Sequence, residues 1–125
     1  MLTIRESQLK VLAKESFERW LVQHVLRHFP QQAQSLDSDL LRTSVREKWA
    51  RATRYFSSES GICTFIDLTF LLGDEFDNDP QLPWAREILT KTAISDADRR
   101  RRLYEKTREH LIRRSRAAKT GRKHV

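Results

Sequence analysis

The sequence predicts an all-α fold: a compact bundle of about five helices, with a buried central third helix and a basic C-terminal helix and tail. Three observations carry that expectation. Only 3 Gly and 3 Pro interrupt 125 residues, too few breakers for a sandwich, a barrel or a glycine-dependent phosphate loop. Apolar residues recur at spacings of three and four along most of the chain. Residues 62–72 are apolar around nearly a whole helical circumference, as befits a helix enclosed by others.

Thr3-Ile4-Arg5-Glu6 fits a capping box, in which Thr3 accepts from an amide one turn on and Glu6 reaches back. Leu9, Ala13, Phe17, Trp20, Leu21, His24 and His28 then form one stripe of a long first helix. Phe29-Pro30 ends it, because proline disfavours helical geometry in the residue before it. Residues 31–37 read as a polar connection. Asp37 or Ser38 can cap a second helix, whose stripe is Leu41, Val45, Trp49, Ala52, Tyr55 and Phe56. Arg42, Arg46, Lys48 and Arg51 lie mostly outside that stripe. Residues 57–61 make a break and the next cap. The third helix spans about 59–72, and Gly73 stands where a left-handed C-terminal cap is expected. After an acidic loop, Pro83 suits the first turn of a short fourth helix with Trp84, Ile88 and Leu89 facing in. Ser95 can cap the last helix, and Asp96 and Asp98 favour its positive end. Leu103, Tyr104, Thr107, His110 and Leu111 form its inner stripe, with packing expected to stop before Arg114. The expectation is one domain over residues 1–118 and a disordered basic tail over 119–125.

Charge is unevenly placed. The formal net charge is +7, yet residues from Arg99 onward hold 12 Lys+Arg against Glu105 and Glu109, a net +10. The preceding 98 residues hold 12 basic and 15 acidic groups, a net −3. The asymmetry permits contact with nucleic acid, an anionic membrane or an acidic protein surface, without choosing among them. A single Cys excludes a disulfide within the chain and a multi-cysteine zinc site. The N-terminal stretch is charged and amphipathic rather than a secretory leader, and no run reaches the ~18 apolar residues of a membrane span. A cytoplasmic location is expected.

Four constellations carry candidate chemistry. The acidic loop offers Asp74, Glu75, Asp77 and Asp79 as oxygen ligands, but lacks the Gly and final Glu of an EF-hand loop. It reads better as a protein contact: Phe76 as an aromatic anchor, Asp74, Asp77 and Asp79 as its rim, and Pro80 and Trp84 as stiffening. The competing reading is that Phe76 and Trp84 simply close the end of the bundle. His24 and His28, four residues apart, could meet His110 on a metal or act as a base, but the metalloprotease Glu is missing. Partly buried, hydrogen-bonded imidazoles are the simpler reading. Cys63 on an apolar helix reads as an inert thiol. Asp67, four residues on, needs a partner, expected to be an arginine of the second or last helix. Finally, Arg99, Arg101, Arg102, Lys106, Arg108, Arg113 and Arg116 supply electrostatic contact. They could neutralise phosphates, but base readout would want amides or aromatics beside them. Only Tyr104 and His110 are near, both on the packing stripe. A solvated helix end or a cationic clamp on an acidic protein is the other reading. No catalytic residue, metal or cofactor is expected.

At the third helix and the loop the residues become more specific. Phe65-Ile66-Asp67-Leu68-Thr69-Phe70-Leu71-Leu72-Gly73, then Phe76-Asp77-Asn78-Asp79-Pro80 and Pro83-Trp84-Ala85, together with the opening Met1-Leu2-Thr3-Ile4-Arg5, resemble small helical bacterial proteins. Those proteins are encoded beside type VI secretion spike, PAAR and Rhs-type effector genes. The resemblance covers about residues 1–90 and leaves out the basic end. It implies an accessory role and brings no catalytic residues with it. The expected function is therefore a non-enzymatic, protein-binding adaptor or chaperone of a secretion effector or spike component. The alternatives are an immunity protein neutralising a cognate toxin and a nucleic-acid binder using the basic helix. An enzyme would have to rest on His24, His28 and His110.

Overall fold

A computed structural model describes residues 2–123, with side chains described from 8 to 118. It is all-helical: 77% helix, with no strand among the described residues. Among the described residues six helices appear rather than five: α1 (Leu2–His28), α2 (Pro30–Gln34), α3 (Ser38–Ala52), α4 (Glu59–Leu72), α5 (Pro83–Leu89) and α6 (Asp96–Lys123). Among the described residues, none of these helices is long and apolar enough to cross a membrane.

The additional helix, α2, occupies the stretch expected to be a polar connection. Pro30 takes its first position, where the fixed proline φ suits a helix and the missing amide is no loss. Ala33 is buried, so the turn is held by tertiary contact rather than by its own composition. Elsewhere the cap signals act locally. Asp37 accepts from the Leu40 amide at 2.8 Å, Ser58 from the Gly61 amide at 3.0 Å, and Ser95 from the Asp98 amide at 3.2 Å. Gly73 ends α4 with φ 119° and ψ 155°, a positive-φ conformation that suits glycine but is not the left-handed cap expected. The capping box at Thr3 and Glu6 involves side chains outside the described residues.

The core is built from the inner faces of these helices: Leu21 and Val25 of α1, Leu41, Val45 and Ala52 of α3, Ile62, Phe65, Ile66 and Leu68 of α4, Ile88 and Leu89 of α5, and Leu103 of α6. α4 packs on both α3 and α6, and α1 packs on α3. The end of α3 and the start of α4 approach so closely that a Cβ on Gly61 would lie 2.6 Å from Phe56 Cβ. Glycine is required there by space, not by backbone angle.

Two stripes differ from expectation. On α1 the buried face begins only at Phe17, and Leu9, Ala13, Trp20 and His28 are exposed. On α6, Tyr104 is exposed while Leu103 and Thr107 are buried. α6 is helical to Lys123, beyond the Ala118 boundary set for the tail. Lys119, Arg122 and Lys123 favour helix there, against Thr120 and Gly121. Side chains after Ala118, and residues 124–125, lie outside the described residues.

Candidate functional site

The corner formed by residues 74–84 is stapled onto α3 and α4. Asp77 is 0% exposed; it accepts from the Tyr55 hydroxyl at 2.9 Å and from an Arg51 guanidinium nitrogen. Arg51 also donates to the Asp74 carbonyl, and Lys48 Nζ pairs with the Asp74 carboxylate at 3.1 Å. Burial, then the hydrogen bond to Asp77, pushes the Tyr55 phenol above its ordinary value. Phe76 is 1% exposed, its ring 5.0 Å from that of Phe65. Phe76 and Asp77 are therefore interior groups. This corrects the expectation of an aromatic anchor with an acidic rim: the phenylalanine fills the core, and one rim carboxylate is consumed by Arg51 and Tyr55. Of the other residues assigned to that patch, Asp74 and Pro80 are exposed and Asp79 is half-buried, accepting from the Gln81 amide at 2.9 Å. Trp84 is half-buried, with its ring 6.3 Å from that of His110.

The basic helix divides in two. Arg99 is 7% exposed, donates to the Leu89 carbonyl at 2.8 Å and to Asp96, and lies over the Phe56 ring at 4.7 Å. It joins the end of α5 to the start of α6, which corrects its assignment as a surface contact. A guanidinium can be buried in this way because a carbonyl, a carboxylate and an aromatic face replace most of its water, leaving Nε buried without a hydrogen-bond partner. Arg102 is half-buried; Arg101, Lys106, Arg108, Arg113 and Arg116 are exposed. Arg101 pairs with Asp98 at 3.3 Å, and Glu109 receives Lys106 at 3.8 Å and Arg113 at 3.5 Å. Such exposed pairs contribute little to stability.

The structure brings together a different group of residues. A cleft of about 740 Å³ opens between α1, α4 and α6, lined among others by Trp20, His24, Cys63, Asp67, Arg100 and Tyr104. His24 Nε2 lies 2.7 Å from Asp67 Oδ1 and 3.6 Å from Cys63 Sγ. Cys63 and Asp67 are one turn apart on α4, so they share a face, and α1 lays His24 across them. Asp67 thus takes a histidine of the first helix as its partner, not the expected arginine. The Trp20 ring stacks on His24 at 5.0 Å, and the His28 ring stands 4.4 Å from it on the other side. Tyr104 donates to the Thr64 hydroxyl at 3.3 Å. Burial raises the Asp67 carboxyl, against the lowering effect of its hydrogen bond to His24, and burial also raises the Tyr104 phenol. His110, weighed with His24 and His28 as a third imidazole, stands beside Trp84 instead.

This group is not a nucleophile–base–carboxylate triad. A triad needs the carboxylate on one ring nitrogen and the nucleophile on the other, whereas Nε2 faces both here. The Cys63 thiol is pushed up to about 12 from 9.0, first by burial and then by the Asp67 carboxylate. Below pH 9 this thiol favours the folded state, and that contribution is lost as the pH rises from 9.0 towards about 12. Alkylation of Cys63 by iodoacetamide near pH 8 is therefore expected to run about 1,000-fold slower in the folded chain than in urea, since each unit changes the thiolate fraction tenfold. Equal rates would show an accessible, ordinary thiol.

A second surface runs along α1. Leu9 is 64% exposed and Trp20 51%, with Val11 and Leu12 also exposed. Between α1 and α3 lies an apolar groove of about 530 Å³ whose lining includes Val11, Glu18, Arg46, Trp49 and Ala50. Arg46 crosses from α3 to pair with Glu18. The sequence stripe placed Leu9 and Trp20 in the core and so hid this face. No family model, curated protein or solved structure matches the chain.

Proposed function

We propose that the chain is a non-enzymatic, protein-binding accessory module acting in the cytoplasm, a compact bundle with α4 at its buried centre. Its contact face is the exposed side of α1, not the corner at residues 74–84. The observation that supports this reading is the concentration of exposed apolar side chains, Leu9, Val11, Leu12 and Trp20, on a single helix beside an apolar groove. At about 100° per residue, Leu9, Leu12 and Trp20 fall within about 80° of one another around α1 while Val11 faces the groove, and clustered exposed apolar side chains mark contact surfaces. The sequence resemblance supplies the partner class, a secretion effector or spike component, for which the module is an adaptor or chaperone. An immunity role would use the same face but would have a different consequence.

The test uses the full chain and the protein that co-purifies with it from its native host, expected to be a secretion effector or spike component. Leu9→Arg with Leu12→Arg places two charges on side chains that are already exposed, so the circular dichroism spectrum and urea midpoint are expected to hold. Affinity for the effector, measured by calorimetry, is expected to fall by at least about tenfold, in line with the loss of interface hot spots. Unchanged affinity would remove α1 as the contact face. An adaptor is required for delivery of that effector, whereas an immunity protein rescues cells that express it.

A further inference from the structure

We propose that His24 Nε2, Cys63 Sγ and Asp67 Oδ1 form a binding site for a divalent cation of the zinc class, with a fourth position open to the cleft. The three ligand atoms all lie within 4.8 Å of one another. An imidazole, a thiol and a carboxylate form a donor set that suits zinc and its neighbours in the first transition row and is poorly matched to calcium or magnesium. Two of the three separations, those from His24 Nε2, compare directly with what a tetrahedral ion needs, and the third, from Cys63 Sγ to Asp67 Oδ1, lies within 4.8 Å. Bonds of about 2.3 Å to sulfur and about 2.0 Å to nitrogen at tetrahedral angles put those two atoms about 3.5 Å apart. Here they are 3.6 Å apart. Nitrogen and oxygen ligands of the same ion sit about 3.3 Å apart, so the 2.7 Å contact between His24 and Asp67 has to open only slightly.

The charges and protons balance. On binding, the thiol proton leaves to solvent and the ring proton resides on Nδ1, freeing the Nε2 lone pair for the ion. One thiolate and one carboxylate then neutralise a divalent charge. The other groups around the cleft are compatible with this. Glu59 and Tyr104 also line it, and Arg100 opposes a cation but has a buried Nε without a partner. Because His24 belongs to α1 while Cys63 and Asp67 belong to α4, the ion ties the two helices together. It therefore stabilises the folded chain by mass action, independently of any protein partner.

The test adds cobalt(II) and then zinc(II) to the full, reduced chain. One equivalent of cobalt is expected to give sulfur-to-cobalt charge-transfer absorption and the intense visible bands of a tetrahedral ion. Zinc is expected to displace it and to raise the melting temperature. Cys63→Ser, a near-isosteric change, should abolish the charge-transfer band and weaken zinc binding by at least the ~10–100-fold that losing a mere outer-shell partner of a ligand costs. Asp67→Asn should weaken binding while retaining that band, and it serves as the reporter if Cys63→Ser does not fold. The proposal is overturned if cobalt gives no sulfur band, if both variants bind zinc as tightly as the parent, or if binding is lost instead on His28→Ala or His110→Ala.

Discussion

Phe65→Ala is expected to destabilise the protein by about 4 kcal/mol, the middle of the range for removing a fully buried phenylalanine. Phe65 is wholly buried in α4, with the Tyr55 ring at 5.7 Å on one side, the Phe76 ring at 5.0 Å on another, and the Arg51 guanidinium over its face at 5.7 Å. Truncation therefore removes contacts with α3 and with the acidic loop at the same time. The cavity left is bounded by aromatic rings that cannot collapse without moving the backbone. Urea denaturation followed by far-ultraviolet circular dichroism reads the effect as a lowered midpoint at an unchanged slope. A loss below about 1 kcal/mol would mean that the site relaxes freely and that α4 is not tightly packed here.

Asp77→Ala should cost about 3 kcal/mol for a different reason. Its carboxylate has no exposure and serves two donors, the Arg51 guanidinium and the Tyr55 hydroxyl. Removing it leaves a phenol and a cation without their acceptor, and breaking one side of a buried pair is the costly case. The Arg51 side chain is partly exposed and keeps the Asp74 carbonyl, which holds the loss to the lower end of the range. Asp77→Asn separates the contributions: the amide keeps the shape and one acceptor but not the charge. It should fall between the parent and Asp77→Ala in the same urea measurement. An Asp77→Ala variant as stable as the parent would show that the loop is not held by this pair.

These two residues also mark what was legible in the sequence. The period of three and four, the Asp37, Ser58 and Ser95 caps and the glycine ending α4 place most helices within a residue or two, because such signals are local. α2 was not legible, since a five-residue turn depends on the burial of Ala33 by other elements. Phe76 reads equally well as an anchor or as core, because a loop aromatic carries no periodicity. Arg99 and Lys48 look like surface cations until the Leu89 carbonyl, the Asp74 carboxylate and the Phe56 and Phe70 rings are placed around them. For the cleft, the one-turn spacing of Cys63 and Asp67 was visible, but the height at which α1 crosses α4 was not. That height is set by how Phe17, Leu21 and Val25 pack, and it alone decides that His24, rather than His28, meets both groups.

Among the described side chains, α6 is gripped over its first half, through Arg99, Leu103 and Thr107, whereas residues 112–118 are exposed. The two halves of one continuous helix therefore differ in what a substitution meets. Substitution at Leu103 meets packed neighbours, whereas a change at the exposed Arg108 or Arg114 falls in the small range of surface substitutions. The charge of the cationic end and the stability of the body beneath it are thus separable, so that one can be altered without the other.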